Sequence, residues 1–325
     1  MGRYQGMDLK ILTPDQIKDY YPFLETHDLV GALYDPNDGD IDPAQLTQAL
    51  AKGARALGAK IERFCPATGV TREGEDWIVH THKGDIRCQY VVNAAGYYAR
   101  EVGKWFGRDV PMMVMSHQYM LFDTVAEVEA HSQKTGKKLP LLRDVDSSYY
   151  LRQEKNGFNL GPYERNCKAH WVTPDDPFPQ DFSFQLFPDD LERLEWYITD
   201  AMARVPLLEK APLTKVINGP IPYTPDGNPL IGPMPGVPNA FEACVFTFGI
   251  CQAGGRAKCW RNGSPKGLLN GICGLAIRAA LPGLKIRTIA SPRAWRFTAM
   301  NTPCISRTMP GQRDAARSCQ RCIRK

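Results

Sequence analysis

Two glycine-containing turns are the segments of this chain best suited to hold a ligand. The apolar run Tyr90–Val92 predicts a buried strand, and Asn93-Ala94-Ala95-Gly96 and a helical pattern follow it. A second strand, predicted over Ala243–Phe248, leads in the same way to Gly249, Gly254 and Gly255. A strand end, small side chains and a helix N-terminus let the backbone approach a ligand closely, often a phosphate-bearing one. An ordinary strand-to-helix turn is the alternative for Asn93–Gly96 taken alone.

The surrounding pattern predicts the elements that position these turns. Two helices begin with a capping residue and a proline, Thr13-Pro14 and Asp42-Pro43, and end at Pro22 and Gly58. The second helix is amphipathic and leads into a strand predicted over 59–64. Alternation predicts antiparallel strands over 69–92 and long aromatic-rich strands over 110–124 and 147–164, and a further helix should begin near Pro188-Asp189.

Charge divides the chain into two unlike parts. The 325 residues carry a net charge of +5 and 43% hydrophobic residues, which is typical of a globular protein. From Arg256 onward there are 15 basic residues and one acid, so the tail is +14 and the preceding body is −9. No long apolar run or charged leader is present, so no membrane partner is expected and the cytoplasm is the predicted location.

The tail has the composition of a sequence translated out of phase. Codons exist for the residues after Gly255 that, read one base earlier, would encode an amphipathic helix at the expected place. We therefore predict a frameshift after Gly255, and a disordered segment without evolved function over 256–325. No metal site is predicted, because the pair Cys319 and Cys322 lacks a second pair at zinc spacing and His80 and His82 read as surface residues.

The body of the chain resembles the FAD-dependent amine oxidoreductases of the sarcosine and dimethylglycine dehydrogenase group, which have a D-amino-acid-oxidase-like fold. The resemblance covers about residues 10–255 and rests on four segments in the same order: "DGDIDPAQLTQALAKGARALGAKI", "VVNAAGYYAREVG", "YTPDGNPLIGPMP" and "FTFGICQAGG". It implies an α/β fold in which an incomplete Rossmann-like FAD-binding domain is interleaved with an antiparallel-sheet substrate domain. The FAD domain would take 1–109, with the first substrate-domain pieces, and 219–255; the substrate domain would take 110–218.

The resemblance also implies a reaction and a set of site residues. The protein would oxidise the N-methyl carbon of a small methylated amine, sarcosine or dimethylglycine, by hydride transfer to FAD. His117 and Tyr150 match positions that line the substrate pocket, where a histidine titrating near neutrality and a tyrosine could accept the amine proton or orient the amine. Hydrogen-bonded core positions are the alternative for both. Arg152 is a candidate for the substrate carboxylate, with a salt bridge as the alternative. Cofactor contacts would come from Ala67, Asn93, Ala94, Ala95, Gly96, Pro225, Asp226, Gly227, Gly249, Ile250, Gly254 and Gly255.

The sequence departs from the family pattern in ways that affect the cofactor. The family binds the FAD pyrophosphate with a G-x-G-x-x-G after its first strand, and this sequence contains none. The region of a flavin-linking histidine and the tetrahydrofolate-binding half of longer relatives are also expected to be missing. We therefore predict a chain truncated at its N-terminus and inactive as it stands, with an electron acceptor that the sequence does not identify.

Two other classes of protein remain open. A non-catalytic, basic-tailed protein could bind nucleic acid through its +14 tail, with the body as a degenerate scaffold. The acidic body and the lack of interleaved aromatic and basic residues disfavour specific nucleic-acid binding. A nicotinamide-dependent dehydrogenase is disfavoured by the same missing glycine fingerprint.

Overall fold

The computed structural model describes residues 6–179 and 181–254, together with one strand of the tail. Its helices include α1 (Pro14–Tyr20), α2 (Pro43–Ala56), α3 (Ala99–Lys104), α4 (Ala126–Thr135) and α5 (Glu195–Arg204), and residues 249–254 are helical. The strands are β1 (Lys10–Leu12), β2 (Leu29–Tyr34), β3 (Ala67–Glu73), β4 (Asp76–Thr81), β5 (Ile86–Cys88), β6 (Val91–Asn93), β7 (Met113–Phe122), β8 (Leu142–Asp144), β9 (Tyr149–Glu154), β10 (Gly157–Pro162), β11 (Ala169–His170), β12 (Leu213–Tyr223), β13 (Leu230–Pro233), β14 (Ala240–Cys244) and β15 (Ile305–Arg307). Among these described helices, none combines the length and apolar character needed to cross a bilayer.

The starts of the first two helices are confirmed. Thr13 and Gln16 form a capping box, in which the Thr13 N–H donates to Gln16 Oε1 at 3.0 Å and the Gln16 N–H donates to Thr13 Oγ1 at 3.4 Å. At the second helix, Asp42 Oδ1 accepts from the N–H of Gln45 at 2.8 Å. Both caps satisfy backbone donors that the first helical turn leaves unpaired, and a proline follows each.

The largest sheet has six strands with β7 at its centre. Strand β12 pairs with β7 from Met113 to Phe122 along one edge, while β10 and β11 share the other edge. Strands β9 and β8 follow β10, and all neighbours are antiparallel. One face of this sheet packs into the main hydrophobic core, where Met120, Leu151 and Phe158 are each 0% exposed. We call this the core face.

A second, three-stranded sheet joins distant parts of the chain. Strand β14 pairs with β13 in antiparallel fashion and with β6 in parallel fashion, with Val91 opposite Ala240. A hairpin sheet, β3–β4–β5, packs beside it through Trp77, whose Nε1 donates to the Pro238 carbonyl at 3.1 Å. The carboxyl ends of β6 and β14 therefore meet at one edge of the sheet.

Three sequence-based boundaries are corrected by the structure. Residues 59–64 form no strand, because they have no pairing partner in the described part of the chain and Phe64 has a positive φ of 53°. The strand predicted over 243–248 is β14, which ends earlier because Val245 adopts a φ of 60°. The helix expected near Pro188 begins as a 3₁₀ turn at Leu191, since the Asp190 N–H donates to Gln118 Oε1 at 2.8 Å in the large sheet.

The predictions for 256–325 lie outside the described residues, with one exception. Strand β15 pairs antiparallel with β2, with Ile305 opposite Ala32. Three residues of the tail thus form regular structure, whereas disorder was predicted for the whole segment.

Candidate functional site

The face of the large sheet opposite the core face carries most of the candidate site. On β9 the alternation places Tyr149 and Leu151 in the core, each 0% exposed, and leaves Tyr150 and Arg152 half-buried on the other side. The registers extend this second face to Arg143 on β8, opposite Tyr150. We call it the polar face, and its members include His117, Tyr119, Arg143, Tyr150, Arg152 and Tyr223.

Tyr150 lies flat on the sheet because its cross-strand neighbour is a glycine. Tyr150 pairs with Gly161 of β10, and a Cβ built on Gly161 would collide with Cζ and the hydroxyl of Tyr150. The phenol ring is therefore directed across β10 towards β7. Burial raises the pKa of Tyr150 to about 12, so the hydroxyl is a neutral donor at neutral pH.

His117 is held between a phenol and a carboxylate. Its Nε2 lies 3.0 Å from the Tyr223 hydroxyl and 3.2 Å from Cys167 Sγ, and its Nδ1 lies 3.7 Å from Glu164 Oε1. Burial, assisted by the nearby Arg193, lowers the pKa of His117 to about 4. The imidazole is thus neutral at neutral pH, and with its proton on Nδ1 it accepts from Tyr223. This differs from the expectation of a histidine that titrates near neutrality.

Glu164 connects this histidine to a buried ion-pair network. Glu164 Oε1 accepts from the backbone N–H of Gln118 at 2.8 Å, and Glu164 Oε2 lies 3.4 Å from Arg193 Nε. His117, Glu164 and Cys167 bring their ligand-type atoms within 4.8 Å of one another. The arrangement suits hydrogen bonding better than a metal ion, because Arg193 already neutralises Glu164. In addition, burial raises the pKa of Cys167 to about 12 and keeps its thiol protonated.

The two glycine-containing turns of the sequence come together at the carboxyl ends of β6 and β14. Asn93 is buried there, where its Nδ2 donates to the Ala99 carbonyl at 2.9 Å and its Oδ1 accepts from the Ala95 N–H at 3.2 Å. Gly96 has a φ of 59°, and a Cβ at Gly96 or Gly254 would meet no atom within 4 Å. We call this the cofactor edge, formed by 93–96 and 249–254.

The cofactor edge has the features that a dinucleotide cofactor requires at the ends of parallel strands. Its turns are poor in side chains, and helical residues begin beside both strand ends. The side chain of Asn93 is satisfied within its own turn, so it shapes the loop and leaves the backbone to face a ligand. These residues fit a dinucleotide cofactor such as FAD, although the sequence supplies no G-x-G-x-x-G for the pyrophosphate.

The cofactor edge and the polar face lie against each other. The loop after β14 is joined to the end of β12 by Thr247, whose hydroxyl donates to the Pro222 carbonyl at 2.9 Å. Pro222 is the neighbour of Tyr223, the residue that contacts His117. The pKa of Tyr163 is raised mainly by burial, and Cys251 is close enough to add a smaller contribution in the same direction. A ligand at the edge would therefore lie next to the polar face.

Other predicted cofactor residues have different surroundings. Pro225, Asp226 and Gly227 form the turn between β12 and β13, in which Asp226 Oδ1 accepts from the Asn228 N–H at 3.0 Å and from the Thr224 hydroxyl at 3.1 Å. Ala67 is exposed at the start of β3, and Ile250 is 46% exposed in the 249–254 helix. Ala94 lies in the Asn93–Gly96 turn, and Gly255 lies outside the described residues. Their cofactor roles stay predictions.

Arg152 is engaged by acidic residues. Its Nη1 lies 3.0 Å from Asp40 Oδ2 and its Nη2 lies 2.7 Å from Glu154 Oε2. This geometry corresponds to the salt-bridge alternative, and a substrate carboxylate would have to compete with two that are already present. Substrate binding by Arg152 stays a prediction.

Several polar residues of the site were missed by sequence reasoning. Tyr223 directly precedes the "TPDG" turn, and a strand ending at that turn was the available signal for it. Glu164, Cys167 and Arg193 come from loops and a 3₁₀ turn whose approach to His117 depends on long-range pairing, so local patterns give no signal. Arg143 stands in "LLRDVDSSYY", close to the tyrosine that was selected.

Comparisons with known proteins identify the family of this chain. The family described as FAD dependent oxidoreductase (DAO) matches residues 1–259. The chain is 43% identical over 253 residues to mitochondrial dimethylglycine dehydrogenase of Mus musculus, covering 76% of this chain and 28% of that protein. It is 34% identical over 261 residues to mitochondrial sarcosine dehydrogenase of Homo sapiens, covering 78% of this chain and 27% of that protein. The location of this chain stays a prediction, although the names of both relatives are mitochondrial.

The fold also matches a solved structure. L-proline dehydrogenase from P. horikoshii superimposes with a TM-score of 0.65 at 23% identity, covering 79% of this chain and 64% of that chain. At this identity the likeness concerns the fold alone. The chain spans less than a third of the length of the two curated relatives above, with shares of 28% and 27%.

Proposed function

Because this chain belongs to the DAO family of FAD-dependent oxidoreductases, we propose that it oxidises a small N-methylated glycine, sarcosine or dimethylglycine, with FAD. The observation that carries the proposal is the contact between the cofactor edge and the polar face, made by Thr247 on Pro222 beside Tyr223. Relatives named dimethylglycine and sarcosine dehydrogenase supply the substrate class. The substrate would lie between the edge and the tyrosines of the polar face.

The residues of the polar face have defined parts in this proposal. When bound, FAD supplies hydride acceptance from the N-methyl carbon. His117 keeps its proton on Nδ1 towards Glu164, and Tyr223 donates to Nε2, so this pair presents a fixed, neutral hydrogen-bonding surface to the amine. The substrate must react as the free amine, since an ammonium has no lone pair to form the imine. A neutral His117 beside the Arg193 cation favours that uncharged form.

The reaction can be tested by anaerobic reduction of added FAD. Excess FAD is supplied, because the sequence has no pyrophosphate-binding fingerprint and the chain should retain the cofactor weakly. We expect dimethylglycine and sarcosine to remove the visible absorbance of FAD, and glycine betaine, which has no amine lone pair, to leave it unchanged. Binding of FAD to the chain is measured separately by quenching of its fluorescence.

A matched pair of histidine variants locates the reaction. His117→Asn should slow flavin reduction by about 10- to 100-fold, because it removes the group that orients the amine. His27→Asn serves as the control, since the His27 side chain is 78% exposed and lies outside the site. Equal rates in the two variants, or no reduction by either amine while FAD is bound, would refute the proposal. Without added FAD we propose that the chain is inactive.

A further inference from the structure

Arg143 is a half-buried arginine on the polar face that has no counter-ion among the described residues. It occupies the middle of β8, where its neighbours Leu142 and Asp144 are buried on the core face. Its Nε is buried and has no hydrogen-bond partner in the part of the chain that the structure describes. No ion pair to Arg143 is formed within the same residues either. A cation held in this way is unfavourable unless an anion joins it.

The other described arginines that are at least half-buried are all paired. Each of the other five has a carboxylate within 4 Å: Arg100 with Asp109, Arg108 with Glu242, Arg152 with Asp40, Arg193 with Glu164 and Arg204 with Asp28. The chain thus compensates its buried guanidinium groups consistently, and Arg143 is the exception. An exception at the candidate site indicates a place for an external anion.

The neighbours of Arg143 fit an oxygen-bearing ligand. Arg143 pairs across the sheet with Tyr150, and Tyr163 forms an edge contact with the Tyr150 ring at 5.9 Å between centroids. Burial raises the pKa of both tyrosines, while the positive charge of Arg143 acts in the opposite direction on each, as expected for a guanidinium close to both hydroxyls. The guanidinium and the two neutral phenol hydroxyls can all donate hydrogen bonds, as a carboxylate requires.

The distance across the sheet suits a small amino acid. Strands β8, β9, β10 and β7 lie side by side, so β8 and β7 are about 14 Å apart at a strand spacing of ~4.8 Å. The long side chain of Arg143 reaches from one side and His117 from the other. Between them Gly161 contributes no side chain, and the Tyr150 ring lies over its backbone.

We propose that Arg143 binds the carboxylate of the amine substrate and thereby directs its nitrogen towards His117 and Tyr223. Arg143 then selects glycine-type acids over amines that lack a carboxylate. This inference rests on the proposed function, because it names the group that recognises the same substrate. It assigns to Arg143 the part that sequence reasoning gave to Arg152.

Ligand binding by the whole chain, without turnover, tests the proposal. Calorimetry compares N,N-dimethylglycine with N,N-dimethylglycinamide, which keeps the amine and lacks the negative charge. We expect Arg143→Met to weaken binding of the acid by about 10- to 100-fold, the effect of losing charge-assisted hydrogen bonds, and to change binding of the amide by less than about twofold. Arg87→Met is the control, because Arg87 is an exposed strand arginine paired with Asp76 in the hairpin sheet.

Several outcomes would overturn the assignment. Binding of the acid that survives Arg143→Met, or that is lost instead in Arg152→Met, contradicts it, as does a wild-type chain that prefers the amide. Circular dichroism checks that each variant folds. If Arg143→Met does not fold, Arg143→Lys provides a second test, because it keeps the positive charge and loses the two-pronged geometry of the guanidinium. The acid should then bind to Arg143→Lys about tenfold more weakly than to wild type.

The two proposals fail separately. If the acid binds through Arg143 but dimethylglycine never reduces added FAD, the proposed reaction is wrong and the anion site stands. If dimethylglycine reduces FAD equally well in wild type and Arg143→Met, with the same dependence on substrate concentration, the reaction stands and the role of Arg143 is wrong.

Discussion

The core face and the polar face of the large sheet are built from the same strands, yet they differ in every physical respect. Leu151 on the core face is 0% exposed, and Tyr150, its neighbour in sequence, lies half-buried on the polar face. The core face is mostly apolar, with a few buried polar groups such as Asp144, and holds the sheet against its helices, while the polar face carries arginines, tyrosines and a neutral histidine. The two-residue period of a strand therefore separates stability from chemistry, and adjacent substitutions should separate them too.

The largest effect is expected from removing a core-face side chain. Leu151→Ala should lower the free energy of unfolding by about 2–5 kcal/mol, because it leaves a cavity among fully buried neighbours. Tyr150→Phe should change this free energy by no more than about 0.5 kcal/mol and should slow flavin reduction. Urea unfolding followed by fluorescence measures both. Similar losses of stability in the two variants would contradict the separation of the faces.

A change at the centre of the polar face should affect both the stability of the fold and the binding of substrate. In Gly161→Ala the new methyl group would collide with the Tyr150 ring, so the ring must swing away from the sheet. We expect a loss of about 1–3 kcal/mol in the free energy of unfolding, together with weaker substrate binding. Gly161→Ala combined with Tyr150→Ala should recover most of the lost stability. A double variant no more stable than Gly161→Ala would argue against the collision.

Acid should destabilise the polar face through His117. The pKa of His117 is about 4 in the folded protein and 6.5 in its unperturbed form. Between pH 6.5 and 4 the unfolded state therefore binds a proton at this histidine that the folded state does not, which favours unfolding. This contribution to stability is complete well above pH 6.5 and should fall by about 2–3 kcal/mol as the pH approaches 4.5. Burial raises the pKa of Glu164, which opposes this trend, so wild type is compared with His117→Gln over the same range. Parallel pH profiles for the two proteins would show that His117 contributes nothing.

The smallest effect is expected at the rim of the polar face. Asp40→Asn removes the charge of one partner of Arg152. The Arg152 Nη1 atom lies 3.0 Å from Asp40 Oδ2, and the two side chains are 22% and 31% exposed, respectively. Because such a pair is partly solvated, the free energy of unfolding should fall by only about 0.2–1 kcal/mol, as measured in urea. A loss above about 2 kcal/mol would mean that this rim is as important for folding as the core face.

Local sequence signals predicted local structure well. The caps of α1 and α2, the antiparallel strands within 69–92, and the strands around His117 and Tyr150 all follow from patterns a few residues long. The failures have long-range causes. Residues 59–64 alternate as a strand would, but a strand requires a partner, and none is present among the described residues.

The candidate site was only partly predicted, because local patterns reveal some of its residues and long-range pairing brings in the others. His117, Tyr150 and the turn at Asn93 were identified in the sequence, and their roles stay predictions. Glu164, Cys167, Arg193 and Tyr223 were missed, because each reaches His117 from a different element. Arg152 was selected without knowledge that Asp40 lies beside it, because no local pattern gives that position.

The parallel pairing of β6 with β14 has a consequence for the order of folding. Val91 and Ala240 are neighbours in space, but the whole large sheet lies between them in the chain. Closing so long a loop is slow, whereas the β9–β10 hairpin needs only local contacts. We expect pulsed hydrogen exchange to show protection of β9 and β10 before that of β6. The cofactor edge would then be assembled last, so a newly made chain would acquire its polar face before it could receive FAD.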